Sequence, residues 1–482
     1  MSSEESQQGS SRAVPLVKIP SEASDNESTA DHPLAASAVP EATPVTIPVT
    51  TPPPNPQLLT LDDHADAFLS GNSHRSEPIL LPPPLPPHTS DLERLRVLVV
   101  RRAWGDALSV TQTLLHGTSS HYAPLYRALV AQPDPSSLAS FSVASLQTEL
   151  LEIMALQCHA WMHLRRWVDL TRELEQWDFC DEEVRPDWVS PTFLVFAASL
   201  RPLVHKEATP QVLWNLRTAC VDATSRVVVE NALANWFIRD KEWRMAMDAL
   251  DRMLPFLPEA AKQEMESRPK GERATSALVL QHAYECEIWS RKGKILLQCG
   301  ALVEAGKAFE AADAAWKNMD AHGVLKDHNA VQTCPAQLQV NQGLLCFAYD
   351  KYDEALEFFR KGSELLRSAG NLHQLPIYRA QDYVSPEGPG STTRQKLYAE
   401  AVNNIALCAV YTCRLGDATA AMEGLVREDP TCFLTERVAL NLATLYELSS
   451  DNTVCTRKKR TLQTVAKRFL LHDIGPDNYR IN

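Results

Sequence analysis

The sequence of 482 residues has no apolar run of about 18 residues or more, which a helix needs to cross a lipid bilayer. Its first residues, MSSEESQQGSSR, are polar and acidic and lack the apolar core of a secretory signal peptide. The eleven cysteines form no CxxC pair and follow no spacing typical of metal ligands. An odd number of scattered thiols predicts reduced cysteines in a cytoplasmic protein without a transmembrane segment.

Motifs of catalysis and cofactor binding are also absent from the sequence. No GxxxxGKS/T or GxGxxG stretch can cradle a phosphate, and no HExxH or GxSxG motif occurs. His159 and His163 are four residues apart on a predicted helix, which would suit a metal. No third ligand lies near them in the sequence, and Trp161 between them belongs to a packing pattern described below. We therefore predict no catalytic residue, no cofactor, no metal and no enzymatic activity.

Positive charge is in short supply, and negative charge and proline are concentrated at one end. The net charge is −13, and residues 1–90 hold 11 acidic and 3 basic side chains together with 16 of the 32 prolines. Such a composition cannot bury enough apolar surface to fold, so residues 1–88 are predicted to be a disordered, acidic, Pro/Ser-rich tail. The excess of acid also excludes nucleic acid as an expected partner, because phosphate contacts need clustered Lys and Arg.

Two segments of this tail stand out. LLTLDDHADAFL (58–69) is amphipathic, and is either a partner-binding segment that folds on docking or a transient helix. ILLPPPLPPHT (79–89) favours polyproline II, and is either a ligand for an aromatic-lined groove or a stiff spacer. Thr89, Ser90 and Asp91 then offer N-cap residues for a first helix.

What the sequence does contain is a recurring order of small and bulky residues. From Trp289 to Ala312 this order falls at Trp289, Gly293, Leu296, Gly300, Leu302, Ala305, Phe309 and Ala312, and it returns at Gly343, Cys346, Asp350, Tyr352, Ala355, Phe359 and Gly362. Small residues at these places let two antiparallel helices approach closely, as in the tetratricopeptide (TPR) helix pair of ~34 residues. Weaker copies in the same register begin near Leu98, Cys158, Ala234 and Ala409.

The pattern predicts an all-α, TPR-like right-handed α-solenoid over residues 89–482, because a single pair cannot bury its apolar face alone. Its best repeats are 282–314, 338–365 and 398–428, and its C-terminal cap is 435–475. Further pairs are predicted near 92–115, 147–178, 190–218 and 227–254, with breaks at 131–137, 254–260, 267–275 and 381–394. Gly293 and Gly343 are 50 residues apart, so about sixteen residues are inserted, in the 318–336 connection or in a longer second helix.

A basic cluster occurs near the C-terminus. Arg457, Lys458, Lys459 and Arg460 are followed two turns later by Lys467 and Arg468. The cluster either contacts an anionic membrane or an acidic partner, or it is the solvated start of a last helix. In the second interpretation the inward residues are Leu462, Val465, Phe469 and Leu470.

Some TPR adaptors grip an acidic peptide terminus with Lys, Arg and Asn on successive first helices. Asn404 and Asn441 lie on successive predicted first helices, but the accompanying Lys and Arg are not in place. An adaptor for a chaperone or degradation complex is therefore the alternative function. An enzyme with an atypical site in 120–280 is a third hypothesis, for which no constellation of residues speaks.

Residues 401–466 resemble subunit 12 of the trafficking protein particle (TRAPP) complex. The resemblance lies in VNNIALC (402–408), LVREDPT (425–431) and NLATLYELSS (441–450) followed by a basic segment, and RRAWGDALSVTQTLL (101–115) is similar to that family's first repeat. It implies a non-catalytic scaffold in ER-to-Golgi and Golgi transport, in a TRAPPIII-type tethering complex, where TPR surfaces hold partner subunits. The implied partners are other TRAPP subunits, especially large accessory ones, with an indirect link to a Rab GTPase. The implied location is cytoplasmic, peripheral to Golgi and ER–Golgi intermediate membranes.

Overall fold

The computed structural model describes residues 60–71, 77–82, 84, 90–130, 143–177, 185–205, 210–220, 222–266, 273–321, 329–368, 372 and 393–481. In these ranges the chain forms α-helices and short 3₁₀ turns without a strand, so the predicted all-α fold is confirmed. In chain order the helices are α1 (Leu61–Leu69), α2 (Asp91–Val100), α3 (Trp104–His116), α4 (Ala123–Val130), α5 (Ala144–His163), α6 (Trp167–Glu175), α7 (Pro191–Val204), α8 (Gln211–Ala219), α9 (Ala223–Arg239), α10 (Trp243–Met253), α11 (Leu257–Glu266), α12 (Arg273–Gln298), α13 (Leu302–Ala321), α14 (Asn329–Ala348), α15 (Tyr352–Ser368), α16 (Thr393–Tyr411), α17 (Leu415–Glu428), α18 (Pro430–Phe433), α19 (Glu436–Ser449) and α20 (Asn452–Arg468).

The helices stack as successive pairs, as the repeat pattern predicts. Helix α12 packs on α13, α14 on α15 and α16 on α17, and the first helix of each of these pairs also contacts that of the next. Helices lie in the stretches predicted as pairs, with bounds shifted by a few residues, except that the pairs predicted over 282–314 and 338–365 begin earlier, at Arg273 and Asn329. The long α13 and the early start of α14 therefore take up part of the predicted insertion between Gly293 and Gly343, and residues 322–328 lie outside the described residues.

Six of the pairs turn in the same way between their two helices. One residue has a left-handed backbone, and the next residue's N–H donates to the carbonyl five positions back at 2.7–3.0 Å, which closes the first helix as a Schellman motif. A bulky residue then opens the second helix. The turn residues are Arg102, Arg165, Lys241, Gly300, Asp350 and Cys413, and the bulky residues are Trp104, Trp167, Trp243, Leu302, Tyr352 and Leu415. Within residues 120–280 the turn occurs at Arg165 and Lys241, in two of the pairs where the sequence carries only weaker copies of the pattern.

Two glycines account for the closest approach of paired helices. A Cβ at Gly343 would lie 2.6 Å from the Phe359 ring, and one at Gly293 would overlap the Phe309 ring. Ala305 and the equivalent Ala355 are fully buried. The small residues of the repeat are thus required because a large ring from the second helix fills the space beside the first.

The two ends of the array contact one another. Arg102, in the turn between α2 and α3, donates to Asp473 Oδ2 at 2.9 and 2.7 Å and to the carbonyls of Thr431 and Leu434 at 2.9 and 2.8 Å. Both side chains of the Arg102–Asp473 pair are about nine-tenths buried. Arg165, in the equivalent turn of the next pair, forms an ion pair with Glu436. The first repeats therefore pack against the last ones, and the array closes on itself.

The prediction of disorder over 1–88 is wrong for residues 60–71. Thr60 caps α1 in a capping box with Asp63, and Ala65 and Leu69 are fully buried in the core of the C-terminal repeats. The amino-acid composition of the tail did not predict this helix, because the apolar partners of the segment are about 400 residues away in the sequence, on α20. Residues 1–59 lie outside the described residues.

Other local predictions also need correction. Residues 254–260 were predicted as a break but form a 3₁₀ turn and the start of α11, because each proline stands in the first turn of its helix, where its missing N–H costs nothing. Helix α4 was not predicted. Leu470, predicted to face inward, is exposed because the chain leaves α20 there with a positive φ. The predicted loop over 381–392 lies outside the described residues.

Candidate partner-binding surface

The first helices of the last repeats expose apolar side chains in a row. On α16, Leu407 and Tyr411 follow Asn403 at intervals of four and stay exposed, so they share one helix face. On α19, Leu440 and Leu448 are exposed in the same manner. Large exposed apolar groups that recur on one face indicate an interaction surface. We call this set the first-helix face: Leu407, Tyr411, Leu440 and Leu448.

An amide pair joins the two helices of this face. Asn441 Nδ2 donates to Asn403 Oδ1 at 2.6 Å, which places α19 directly beside α16. Asn404, considered with Asn441 for a peptide clamp, has a buried side-chain nitrogen. The two asparagines thus do not form the amide part of a carboxylate clamp, because Asn441 uses its side chain within the fold.

Aromatic rings gather at one end of the face. The Tyr411 ring stacks on Tyr352 with centroids 4.8 Å apart, and it meets Phe347 edge-on at 5.3 Å. The Tyr352 hydroxyl donates to Asp350 at 2.7 Å, and this hydrogen bond raises the pKa of Tyr352 to about 12. The phenol therefore stays neutral. Tyr411 is held by its neighbours while 44% of it remains exposed, and such a rigid, exposed tyrosine suits a binding hot spot.

The basic cluster of α20 divides between the core and the surface. Lys459 is buried, and its ammonium donates to Glu447 at 2.5 Å and to the Arg480 carbonyl at 2.8 Å. Lys458 pairs with Glu423 at 3.3 Å. Arg457 and Arg460 are exposed. The cluster is therefore not solvated throughout, as the second interpretation had it, because Lys459 is part of the core. Leu462, Val465 and Phe469 are buried as that interpretation predicted.

The two histidines considered as a metal face have separate surroundings. His159 is buried with its ring 5.0 Å from that of Phe196, whereas the His163 ring stacks on Trp104 at 4.1 Å. No cluster of three or more His, Cys, Asp or Glu suited to a metal occurs in the part of the chain that the structure describes. In the same ranges, no helix combines the length and the apolar character required to traverse a bilayer.

Sequence reasoning missed the first-helix face because it assigned Tyr411 and Leu440 no role. Periodicity identifies which residues repeat, but not which side of a repeat remains uncovered after stacking. One available signal was the i, i+4 recurrence of Asn403, Leu407 and Tyr411. That row is offset from the buried positions of the same helix.

The chain is similar to two curated proteins, each called "Trafficking protein particle complex subunit 12". It is 24% identical to the mouse protein over 238 residues, which make up 49% of this chain and 22% of the relative. It is 24% identical to the human protein over 236 residues, which make up 49% of this chain and 23% of the relative. The matched stretch thus spans less than a quarter of each relative. No protein-family model matches the chain.

Proposed function

We propose that this chain is a non-catalytic scaffold subunit of a TRAPP-type vesicle-tethering complex, which holds partner subunits through its TPR-like surface. The observation that carries the proposal is the similarity over half of the chain to subunit 12 of the mouse and human complexes. The fold suits the role, because stacked helices present a long, rigid surface whose geometry does not depend on a bound ligand.

We propose that a partner subunit binds to the first-helix face. Its tyrosine, Tyr411, loses little conformational freedom on binding, because neighbouring rings already hold it. Leu407 and Leu440 supply apolar area next to these rings. An apolar centre with aromatic anchors is the usual composition of the energetically dominant part of a protein interface.

The partners we propose are other TRAPP subunits, above all the large accessory ones. Through them the chain is linked indirectly to a Rab GTPase of the early secretory pathway. Its place is then cytoplasmic, at the periphery of Golgi and ER–Golgi intermediate membranes, where the complex and not a segment of this chain makes the membrane contact. The TRAPPIII form is the version of the complex in which we place it.

Surface variants test this proposal. Tyr411→Ser with Leu440→Ser removes the centre of the face, while Val303→Ser is a matched control on the second helix α13, where Val303 is 61% exposed. Tagged chains expressed at native levels are purified and their co-purifying proteins identified. We expect the double variant to lose large TRAPP subunits and the control to retain them. Equal recovery from both variants would remove the first-helix face from the proposal.

A further inference from the structure

Helix α1 occupies a groove on the last repeats of its own chain. It lies along α20, and its two fully buried side chains, Ala65 and Leu69, are four residues apart on one face. Both belong to the apolar core that α16, α17, α19 and α20 share. The groove therefore already holds an amphipathic helix, and α1 shows what chemistry it accepts.

Two arginines of the groove bind α1 through its acidic side chains and its C-terminal end. Arg468 bonds to Asp66 and donates to Asp62 Oδ1 at 3.1 Å, so one guanidinium spans two acidic residues one turn apart. Arg427 donates to the carbonyl of Phe68 at 2.7 Å, and its guanidinium lies 4.8 Å from the Phe68 ring centre. One arginine thus recognises an acidic pair, and the other recognises the C-terminal end of a helix together with an aromatic ring.

The groove is held in place by residues that do not belong to α1. Glu423 accepts from Arg427 at 2.7 Å and pairs with Lys458 at 3.3 Å, and the Lys458 ammonium lies 4.8 Å from the Tyr446 ring centre. Arg427 is therefore aligned by α17 and α20 themselves. A groove whose arginine is positioned without the ligand remains able to receive another helix of the same kind.

The contacts that keep α1 in the groove are few and weak. The side chains of Asp62 and Asp66 are 77% and 55% exposed although they pair with Arg468, so water screens these ion pairs. The helix has nine residues, and only two of them are fully buried. Arg457, Arg460 and Lys467 are exposed on α20 and leave positive charge for a longer acidic helix. A partner helix can therefore make every contact of α1 and add others.

We propose that the groove formed by α17 and α20 is a binding site for an acidic amphipathic helix of a partner protein, and that α1 is its internal competitor. The partner helix carries two acidic residues four apart, a small and a large apolar residue four apart on the same face, and an aromatic residue near its C-terminal end. The site is separate from the first-helix face and does not depend on the proposed function.

A labelled peptide of residues 60–71 tests the proposal by fluorescence anisotropy on the full chain. Ala65→Asp with Leu69→Asp in the chain expels α1 and leaves the groove open. We expect this opened chain to bind the peptide at least ten-fold more tightly than the natural chain, whose own α1 competes. We also test an alanine-based helical peptide that keeps only Asp62, Ala65, Asp66, Phe68 and Leu69. It is expected to bind equally well, because the groove recognises these side chains and not the rest of the sequence.

Charge reversal provides the control. Arg468→Glu in the opened chain should weaken binding at least ten-fold, and a peptide with Asp62→Lys and Asp66→Lys should restore it. Three results would overturn the proposal: an opened chain that binds no better than the natural one, an opened chain unaffected by Arg468→Glu, and dimers of the natural chain in light scattering at micromolar concentration. The last result would make α1 of a second copy the occupant.

Discussion

Arg102 and Asp473 are 371 positions apart in the sequence, and their side chains form a buried salt bridge that joins the first repeat to the last. The remaining guanidinium donor bonds to two carbonyls of the segment before α19. An isolated repeat array has two free ends, whereas here an arginine of the first repeat bonds to three groups of the last ones. The closure of the array therefore depends on this pair.

Arg102→Ala is expected to lower the free energy of unfolding by about 3–5 kcal/mol, because it leaves Asp473 buried without its charge partner. Arg165→Ala is the matched control. Arg165 crosses the same junction to Glu436, but the two side chains are 53% and 43% exposed, so the loss should stay within about 1 kcal/mol. Urea unfolding followed by circular dichroism measures both. Equal losses would mean that the buried pair does not hold the ends together.

The close approach at Gly343 gives a second prediction. Gly343→Ala places a methyl group against the Phe359 ring and should destabilise the chain by about 1–3 kcal/mol. Gly424→Ala, in α17, meets no atom within 4 Å, so it should stabilise by about 0.5–1 kcal/mol through the backbone. Ala305→Leu and Ala355→Leu should overpack their pairs at a similar cost to Gly343→Ala. If Gly343→Ala and Gly424→Ala shift the thermal midpoint in the same direction, Gly343 does not lie against the Phe359 ring.

The repeated left-handed turn gives a third prediction. Gly300 has φ +75° and open space around its Cβ position, so Gly300→Ala should cost about 1 kcal/mol from backbone strain alone. Cys413 adopts φ 59° in the equivalent turn, and Cys413→Gly should be stabilising by about the same amount. Opposite shifts in the urea midpoint are expected. A stabilising Gly300→Ala would contradict the assignment of this turn.

Acid should loosen the junction of the two ends. Burial against Trp104 lowers the pKa of His163 to about 4, although Asp473 nearby opposes the shift. Because the unfolded chain binds this proton at higher pH, stability is full above about pH 6.5 and is lost as the pH falls toward 4. The His163 side chain keeps 39% of its surface exposed, so the loss should be on the order of 1 kcal/mol. His163→Phe keeps the ring stack and should flatten the pH dependence of unfolding, and an unchanged slope would contradict this origin.

The sequence predicted those parts of the fold that are local. A small residue opposite a ring, as at Gly343 and Phe359, recurs with a fixed spacing, and a spacing can be read along one chain. Contacts between distant segments have no such signal. No sequence pattern near Arg102 indicates that it pairs with Asp473. Asp62 and Asp66 belong by composition to an acidic tail, and only the structure places Arg468 beside them. The basic cluster was similarly ambiguous, since burial separates Lys459 from Arg460 within a single turn.

The proteins that co-purify with this chain test most directly whether it works as a subunit of a tethering complex. The chain, tagged at its own locus and expressed at its natural level, is isolated from cytosol and its partners are identified by mass spectrometry. We predict TRAPP subunits in stoichiometric amounts, with the large accessory subunits first among them. Recovery of the intact chain without any tethering-complex subunit, in a preparation that retains other assemblies, would contradict this prediction.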